Sequence, residues 1–246
     1  MGKIIAVASG KGGTGKTTSV AAISSCLAAL GFRTLCVDFD IELRNLDLAL
    51  CMTDFSVAAF ADVVSKRLDL MEACHESPKI SNLFFLAAPT GKEADDPEIT
   101  DVMPMFADIR REFDYCLVDA PSGLGGGFRL AHSVADMSVI VSIGELPAIR
   151  DANKATGAAR DMGVKDIRLL VNRVLPKNFD WLRTTIDDVI DTVGAQLIGV
   201  IPEDKNVFRA LHENTPLILY SKRNAAYYYL DTARRIAGED VPLRIR

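Results

Sequence analysis

The sequence is poor in the residues that mark metal, membrane and nucleic-acid proteins. Its three histidines, His75, His132 and His212, are scattered without metal-ligand spacing and read as ordinary surface or packing residues. None of the five cysteines, Cys26, Cys36, Cys51, Cys74 and Cys116, forms a CxxC pair. Most sit in apolar runs, so buried thiols in a reducing compartment are expected. No apolar run approaches the roughly 18 residues needed to cross a bilayer. Met1-Gly2-Lys3 leads straight into Ile4–Ala8 and then into glycines and lysines, not into a signal-peptide cleavage region, so the expected location is the cytoplasm. An excess of basic charge is missing too. Lys plus Arg number 28 against 33 Asp plus Glu, a net charge of -5, which argues against a broad nucleic-acid surface. Internal repeats, low-complexity tracts and linkers are absent. What remains, 49% hydrophobic and 25% charged residues, is the composition of a globular chain able to bury its own core. Residues 1–246 are therefore expected to form a single domain.

Short apolar runs alternate with longer helical patterns. Strands are predicted at Ile4–Ala8, Thr34–Asp38, Leu83–Ala87, Tyr115–Asp119, Ser138–Ser142, Arg168–Val171 and Gln196–Ile201. They are apolar at nearly every residue, as strands covered on both faces should be. Helices are predicted at Thr17–Leu30, Thr100–Glu112, Ala148–Met162, Trp181–Val193, Val207–Glu213 and Ala225–Ala237, with Gly91–Pro97 a polar loop. The expected fold is α/β: a mostly parallel central sheet of seven or eight strands with helices on both faces. Ligands of such sheets bind at the carboxyl ends of the strands. Polar residues collect there: Ser9–Thr18 after the first strand, Asp38-Phe39-Asp40 after the second, Asp119–Gly123 after the fourth, Asn172-Arg173 after the sixth and Pro202-Glu203-Asp204 after the seventh.

Gly10–Thr17 matches GxxxxGK[ST], the phosphate-binding P-loop. Gly10, Gly12, Gly13 and Gly15 let backbone N–H groups of Gly10–Thr18, Thr14 among them, turn toward phosphate oxygens. The positive end of the following helix faces the same anion. Lys16, expected on a solvent-facing loop, would reach the β- and γ-phosphates, and the Thr17 hydroxyl would ligate Mg²⁺. Gly10–Gly15 also reads as the dinucleotide fingerprint GxGxxG, with Asp38 near its usual acidic position. Two features favour a nucleoside triphosphate. Lys16-Thr17 follows the last glycine directly, and a second apolar strand, Cys116-Leu117-Val118-Asp119, ends in the acid that a P-loop enzyme needs to hold Mg²⁺ through water. Lys11 lies in the loop itself. A cation there cannot easily fold back onto the phosphate its own loop wraps, and serving a second subunit's nucleotide is one solution.

KGGTGKTT at Lys11–Thr18 resembles the deviant Walker A box of the MinD/ParA ATPases. VDFDIELRNLDL at Val37–Leu48 is similar to switch I on the MinD side of that family. FDYCLVDAPSGL at Phe113–Leu124 resembles its Walker B and switch II, and GVIPED at Gly199–Asp204 is also MinD-like. The Asp-Pro-Gln-Gly sequence usual in ParA after strand two is absent. No cysteine follows Asp119, which argues against the cluster of the related nitrogenase iron protein. The resemblance implies an ATP-dependent homodimer that hydrolyses ATP slowly to ADP and meets a protein regulator. It implies that Lys11 reaches the partner's phosphates, and without ATP pairs with Asp151. Asp38 and Asp119 would bind Mg²⁺ through water, and Asp40 would orient or deprotonate the attacking water. Asn172 would read adenine with an amide that both donates and accepts, beside Arg173, while Pro202, Glu203 and Asp204 close the base pocket.

Three departures stand out. Glu42 replaces a small glycine, Gly125-Gly126-Gly127 replaces a more polar switch II and predicts unusual mobility, and the chain stops at Val241–Arg246. Four residues after Pro242 cannot make the basic amphipathic helix with which MinD proteins enter a membrane. Membrane binding by this chain is therefore not expected, although a longer natural C-terminus would allow a peripheral place at the inner membrane. The expected process is division-site selection or related spatial positioning. Alternatives are a flagellar or pilus homologue, an ATP-binding scaffold that barely hydrolyses, and a ParA-like partition protein using Arg160, Lys165, Arg168, Arg173, Lys177 and Arg183 on DNA. Acids interspersed among those six residues make DNA the weaker expectation.

Overall fold

The computed structural model of the chain describes residues 1–41, 43–53, 58–89, 98–175 and 185–243. Its strands are β1 (Lys3–Ala8), β2 (Thr34–Asp38), β3 (His75–Glu76), β4 (Leu83–Leu86), β5 (Tyr115–Asp119), β6 (Met137–Ser142), β7 (Asp166–Val174) and β8 (Gln196–Pro202). They form one sheet in the order β3-β4-β2-β5-β1-β6-β7-β8. Every pairing is parallel except β3 with β4. The seven predicted strands are all present. The eighth, two residues at the edge, carries too little sequence pattern to be foreseen.

The described helices are α1 (Lys16–Ala29), α2 (Leu46–Ala49), α3 (Phe60–Val64), α4 (Leu70–Ala73), α5 (Ile99–Glu112), α6 (Gly126–Ser133), α7 (Leu146–Asp161), α8 (Ile186–Val193), α9 (Lys205–His212), α10 (Leu217–Tyr220) and α11 (Ala225–Ile236). Strand side chains alternate between two apolar layers. Ile4, Val37, Val118 and Ile140 lie in one layer with Phe106 of α5, Phe128 of α6, Ile149 of α7 and Val189 of α8. Ile5, Cys36, Leu117 and Val139 lie in the other with Ile23 and Leu27 of α1 and Tyr229 and Ala233 of α11. Covering both faces leaves the carboxyl edge of the sheet as the open place for chemistry. All five cysteines are buried and free.

The glycine run, expected to be mobile, is the start of a helix: Gly125 is the N-cap of α6 and Gly126 and Gly127 form its first turn. A Cβ on Gly127 would lie 2.4 Å from Cγ of Pro121, so the close approach of α6 to that proline requires glycine. Helix α8 begins at Ile186 behind a capping box between Thr185 and Asp188. Glu42, the Gly91–Pro97 loop, Lys177, Trp181–Arg183 and Arg244–Arg246 lie outside the described residues. At the far edge of the sheet, Arg235 of α11 donates to the carbonyls of Ile198, Val241 and Pro242 at 3.0, 2.8 and 2.7 Å. This fastens the segment after α11 to β8.

Candidate functional site

The loop between β1 and α1 wraps the N-terminus of a 14-residue helix. Gly15 caps that helix in the left-handed region, φ 87°, and Gly13 has φ 80°. Gly10 has no room for a side chain, because a Cβ there would sit 2.3 Å from the Asp151 carbonyl oxygen. The Thr14 hydroxyl is buried without a hydrogen-bond partner among the described residues. An unsatisfied buried donor in a glycine-rich loop at a helix N-terminus suits an anionic oxygen. Ser9, the loop's first residue, accepts from Gly123 N–H through its carbonyl at 3.1 Å, which ties the loop to the segment after β5.

Register brings the acids together. Asp38 of β2 lies directly opposite Asp119 of β5, both at carboxyl ends and both buried. Lys16, at the first position of α1, donates its ammonium to the Asp119 carboxylate and lies 3.4 Å from the Thr17 hydroxyl. It is 5% exposed, so the expectation of a solvent-facing lysine is corrected: its ammonium is the counter-charge of a buried acid. Asp38 accepts from the N–H groups of Asp40 at 2.9 Å and Leu46 at 3.3 Å. Burial, then the charge of Asp119, pushes the Asp38 carboxyl up to about 7 despite those bonds. Burial also raises Asp119, and Lys16 opposes the rise. Asp40 is 8% exposed and accepts from Leu43 N–H at 3.1 Å. Two crowded carboxylates and one ammonium leave a surplus of negative charge that a divalent cation relieves, so Thr17, Asp38 and Asp119 fit Mg²⁺.

Beside the loop opens a pocket of about 660 Å³, lined by Gly13, Gly15, Thr18, Asn172, Pro202 and Phe208 among others, with Arg173, Glu203 and Asp204 at its wall. Its size suits a nucleoside. Strand β7 runs past the predicted end at Val171 and bulges. Val171 pairs with Val200 and Val174 with Pro202, so Asn172 and Arg173 together face Ile201. The bulge, with Arg173 at φ 56°, aims Asn172 at the loop. Its Nδ2 donates to the Thr14 carbonyl at 2.9 Å, and its Oδ1 accepts from the Tyr229 hydroxyl at 3.3 Å. Each end of the amide thus makes one bond within the fold, leaving one N–H and one oxygen lone pair for a base. Arg173 pairs with Glu203 at 2.8 Å and reaches the Gly13 carbonyl at 3.4 Å. Asp204 caps α9, accepting from Asn206 N–H at 2.9 Å.

The expected resting place of Lys11 is also corrected. Its Nζ lies 3.5 Å from Glu145, the N-cap residue of α7, whereas Asp151 is paired with Lys154 one turn further on at 3.3 Å. Asp151 meets the loop through its backbone, packed on Gly10, and its carboxylate already has a helical neighbour. Glu145, Ser19 and Tyr229 were not foreseen from sequence. None belongs to a motif; Ser19 directly follows the loop in sequence, whereas only the fold brings Glu145 and Tyr229 to it.

Residues 5–217 match the CobQ/CobB/MinD/ParA nucleotide binding domain. The chain belongs to this family. Within the CobQ/CobB/MinD/ParA family, it is 35% identical over 252 aligned positions to the septum site-determining protein MinD of Bacillus subtilis (strain 168), covering 100% of this chain and 92% of that relative. Its fold is similar to MinD in the MinC:MinD cell division protein complex of Aquifex aeolicus, with TM-score 0.91, 33% identity and 99% and 98% of the two chains covered. It is also similar to the septum site-determining protein MinD complexed with Mg-ADP from Pyrococcus horikoshii OT3, with TM-score 0.84, 26% identity and 96% of each chain covered. No helix among the described residues is long and apolar enough to cross a membrane.

Proposed function

We propose that residues 1–246 form one P-loop ATPase domain working as a MinD-like switch in cell-division site selection, dimerising with ATP and hydrolysing it slowly in the cytoplasm. The observation that carries this reading is the position of Lys11. Its side chain is 43% exposed and leans outward on Glu145 while Lys16 occupies the cradle, so the loop holds one inward and one outward cation. An outward lysine suits the phosphates of a second copy. In this reading Gly10–Thr18 bind the phosphates, Lys16 moves from Asp119 to the β- and γ-phosphates, and Lys11 neutralises charge across the dimer. Thr17, Asp38 and Asp119 hold Mg²⁺, which supplies neutralisation of phosphate charge when bound. Asp40 holds the attacking water, and Asn172, Arg173, Pro202, Glu203 and Asp204 hold the nucleoside.

The Aquifex MinD was solved with MinC, and a protein of that kind is the regulator we assign to the dimer. DNA fits less well. Arg168 is bonded to Asp166 and Gln196, Arg173 to Glu203, and Arg160 to the Gly194 carbonyl, so no bare basic stripe remains among the described members of that set except Lys165. Light scattering tests the reading. A monomer with Mg-ADP, a dimer with Mg-ATP and a longer-lived ATP dimer in Asp40→Ala are expected; the same mass with either nucleotide would overturn it.

A further inference from the structure

Tyr229 of α11, which no motif contains, stands buried at the wall of the base pocket. The Gly15 carbonyl already accepts Ser19 N–H at 2.9 Å, so the Ser19 hydroxyl, though 2.8 Å from that carbonyl, is able to give its one proton to the phenol oxygen and leave the phenol's own proton for a further acceptor. Tyr229 OH stands 3.1 Å from Ser19 Oγ and 3.3 Å from Asn172 Oδ1. A carboxamide oxygen only accepts. Tyr229 is therefore the one donor of this buried trio facing Asn172 Oδ1. Burial pushes the phenol up to about 12, so the proton stays in place throughout the physiological range. The other end of the amide is fixed as well, since Asn172 Nδ2 donates to the Thr14 carbonyl. A Cβ on Gly15 would stand 2.2 Å from that nitrogen, so the fit leaves no slack.

We propose that Tyr229, buried in α11, is a positioning residue for nucleotide recognition. Its hydroxyl holds the Asn172 amide in the one orientation that turns the remaining N–H toward a hydrogen-bond acceptor on the nucleobase. Without that donor, the amide keeps only the Thr14 carbonyl to orient it, and its oxygen end is left free to swing. The inference rests on the reading of Asn172 as a base contact.

Binding of ADP and of inorganic pyrophosphate, each with Mg²⁺, to the full chain tests it by calorimetry. Tyr229→Phe keeps the ring and removes only the hydroxyl. ADP is expected to bind about five-fold more weakly, one hydrogen bond's worth, with pyrophosphate affinity unchanged. Equal loss for both ligands would mean that Tyr229 acts on the phosphate loop through Ser19, and would overturn the proposal. So would unchanged ADP binding. Asn172→Ala separates the two readings. It should weaken ADP at least as much, and adding Tyr229→Phe to it should cost nothing more. If Asn172→Ala leaves ADP binding intact, the base-contact reading fails and takes the proposal with it. If Asn172→Ala weakens ADP while Tyr229→Phe does not, only the positioning role fails.

Discussion

Lys16 has two partners to serve in turn, a carboxylate in the resting fold and a phosphate when nucleotide is bound. Removing it leaves Asp119 buried beside Asp38 without its counter-charge. Lys16→Ala should therefore abolish Mg-ATP binding and also destabilise the nucleotide-free fold by about 3 kcal/mol, the usual cost of orphaning one member of a buried pair. Adding Asp119→Asn should recover most of that stability and none of the binding. Urea unfolding and calorimetric titration read the two effects separately. That the glycines, Lys16, Thr17 and the three acids meet at one edge was legible in the sequence, since each lies at or after the carboxyl end of an apolar strand. Glu145 and Tyr229 were not, because each meets the loop from more than a hundred positions away and neither residue type announces such a role.

Among the elements, the long apolar strands declared themselves, whereas the short helices did not. A helix of four or five residues such as α2, α3 or α4 has little propensity of its own; α3 is held by the bond from Phe60 N–H to the Ala87 carbonyl at 2.9 Å. Helix α6 was hidden by glycines that oppose helix formation, an opposition outweighed by burial of Phe128, Leu130 and Ala131. The helix is also pinned by His132. Its Nδ1 must donate to the Phe128 carbonyl at 2.8 Å, so its Nε2 accepts from Ser138 of β6, also at 2.8 Å. Burial lowers the His132 pKa, so the unfolded chain takes up the proton first and stability falls as pH drops below about 6.5. Asp38 has the opposite sign. Raised to about 7 from 3.8, it makes the nucleotide-free fold lose stability as pH climbs between those values. Urea midpoints from pH 5 to 8, without nucleotide, should show the Asp38 slope vanish in Asp38→Asn. The acid-side loss from His132 should then remain, and adding His132→Gln should remove it.

The molecule as a whole is a sheet with one reactive edge, and the alternation of strand and helix was enough to place that edge. What the sequence could not supply was where Lys11 rests, since an exposed lysine takes whichever carboxylate the fold offers. The Lys11–Glu145 pair is exposed on both sides and contributes little to stability. Lys11→Ala should thus unfold at the wild-type urea concentration and bind Mg-ATP, yet remain monomeric by light scattering where wild type dimerises. A Lys11→Ala dimer would mean that the lysine does not cross the interface.

Helix α11 joins the pocket wall to the far edge of the sheet. Tyr229 faces Asn172 and, six residues later, Arg235 grips Ile198, Val241 and Pro242. Six helical residues span about 9 Å of stiff rod. A pull exerted beyond Pro242 is therefore not absorbed by slack chain. The Arg235 grip shares it between α11 and β8, so the load falls on the sheet and its covering helix together.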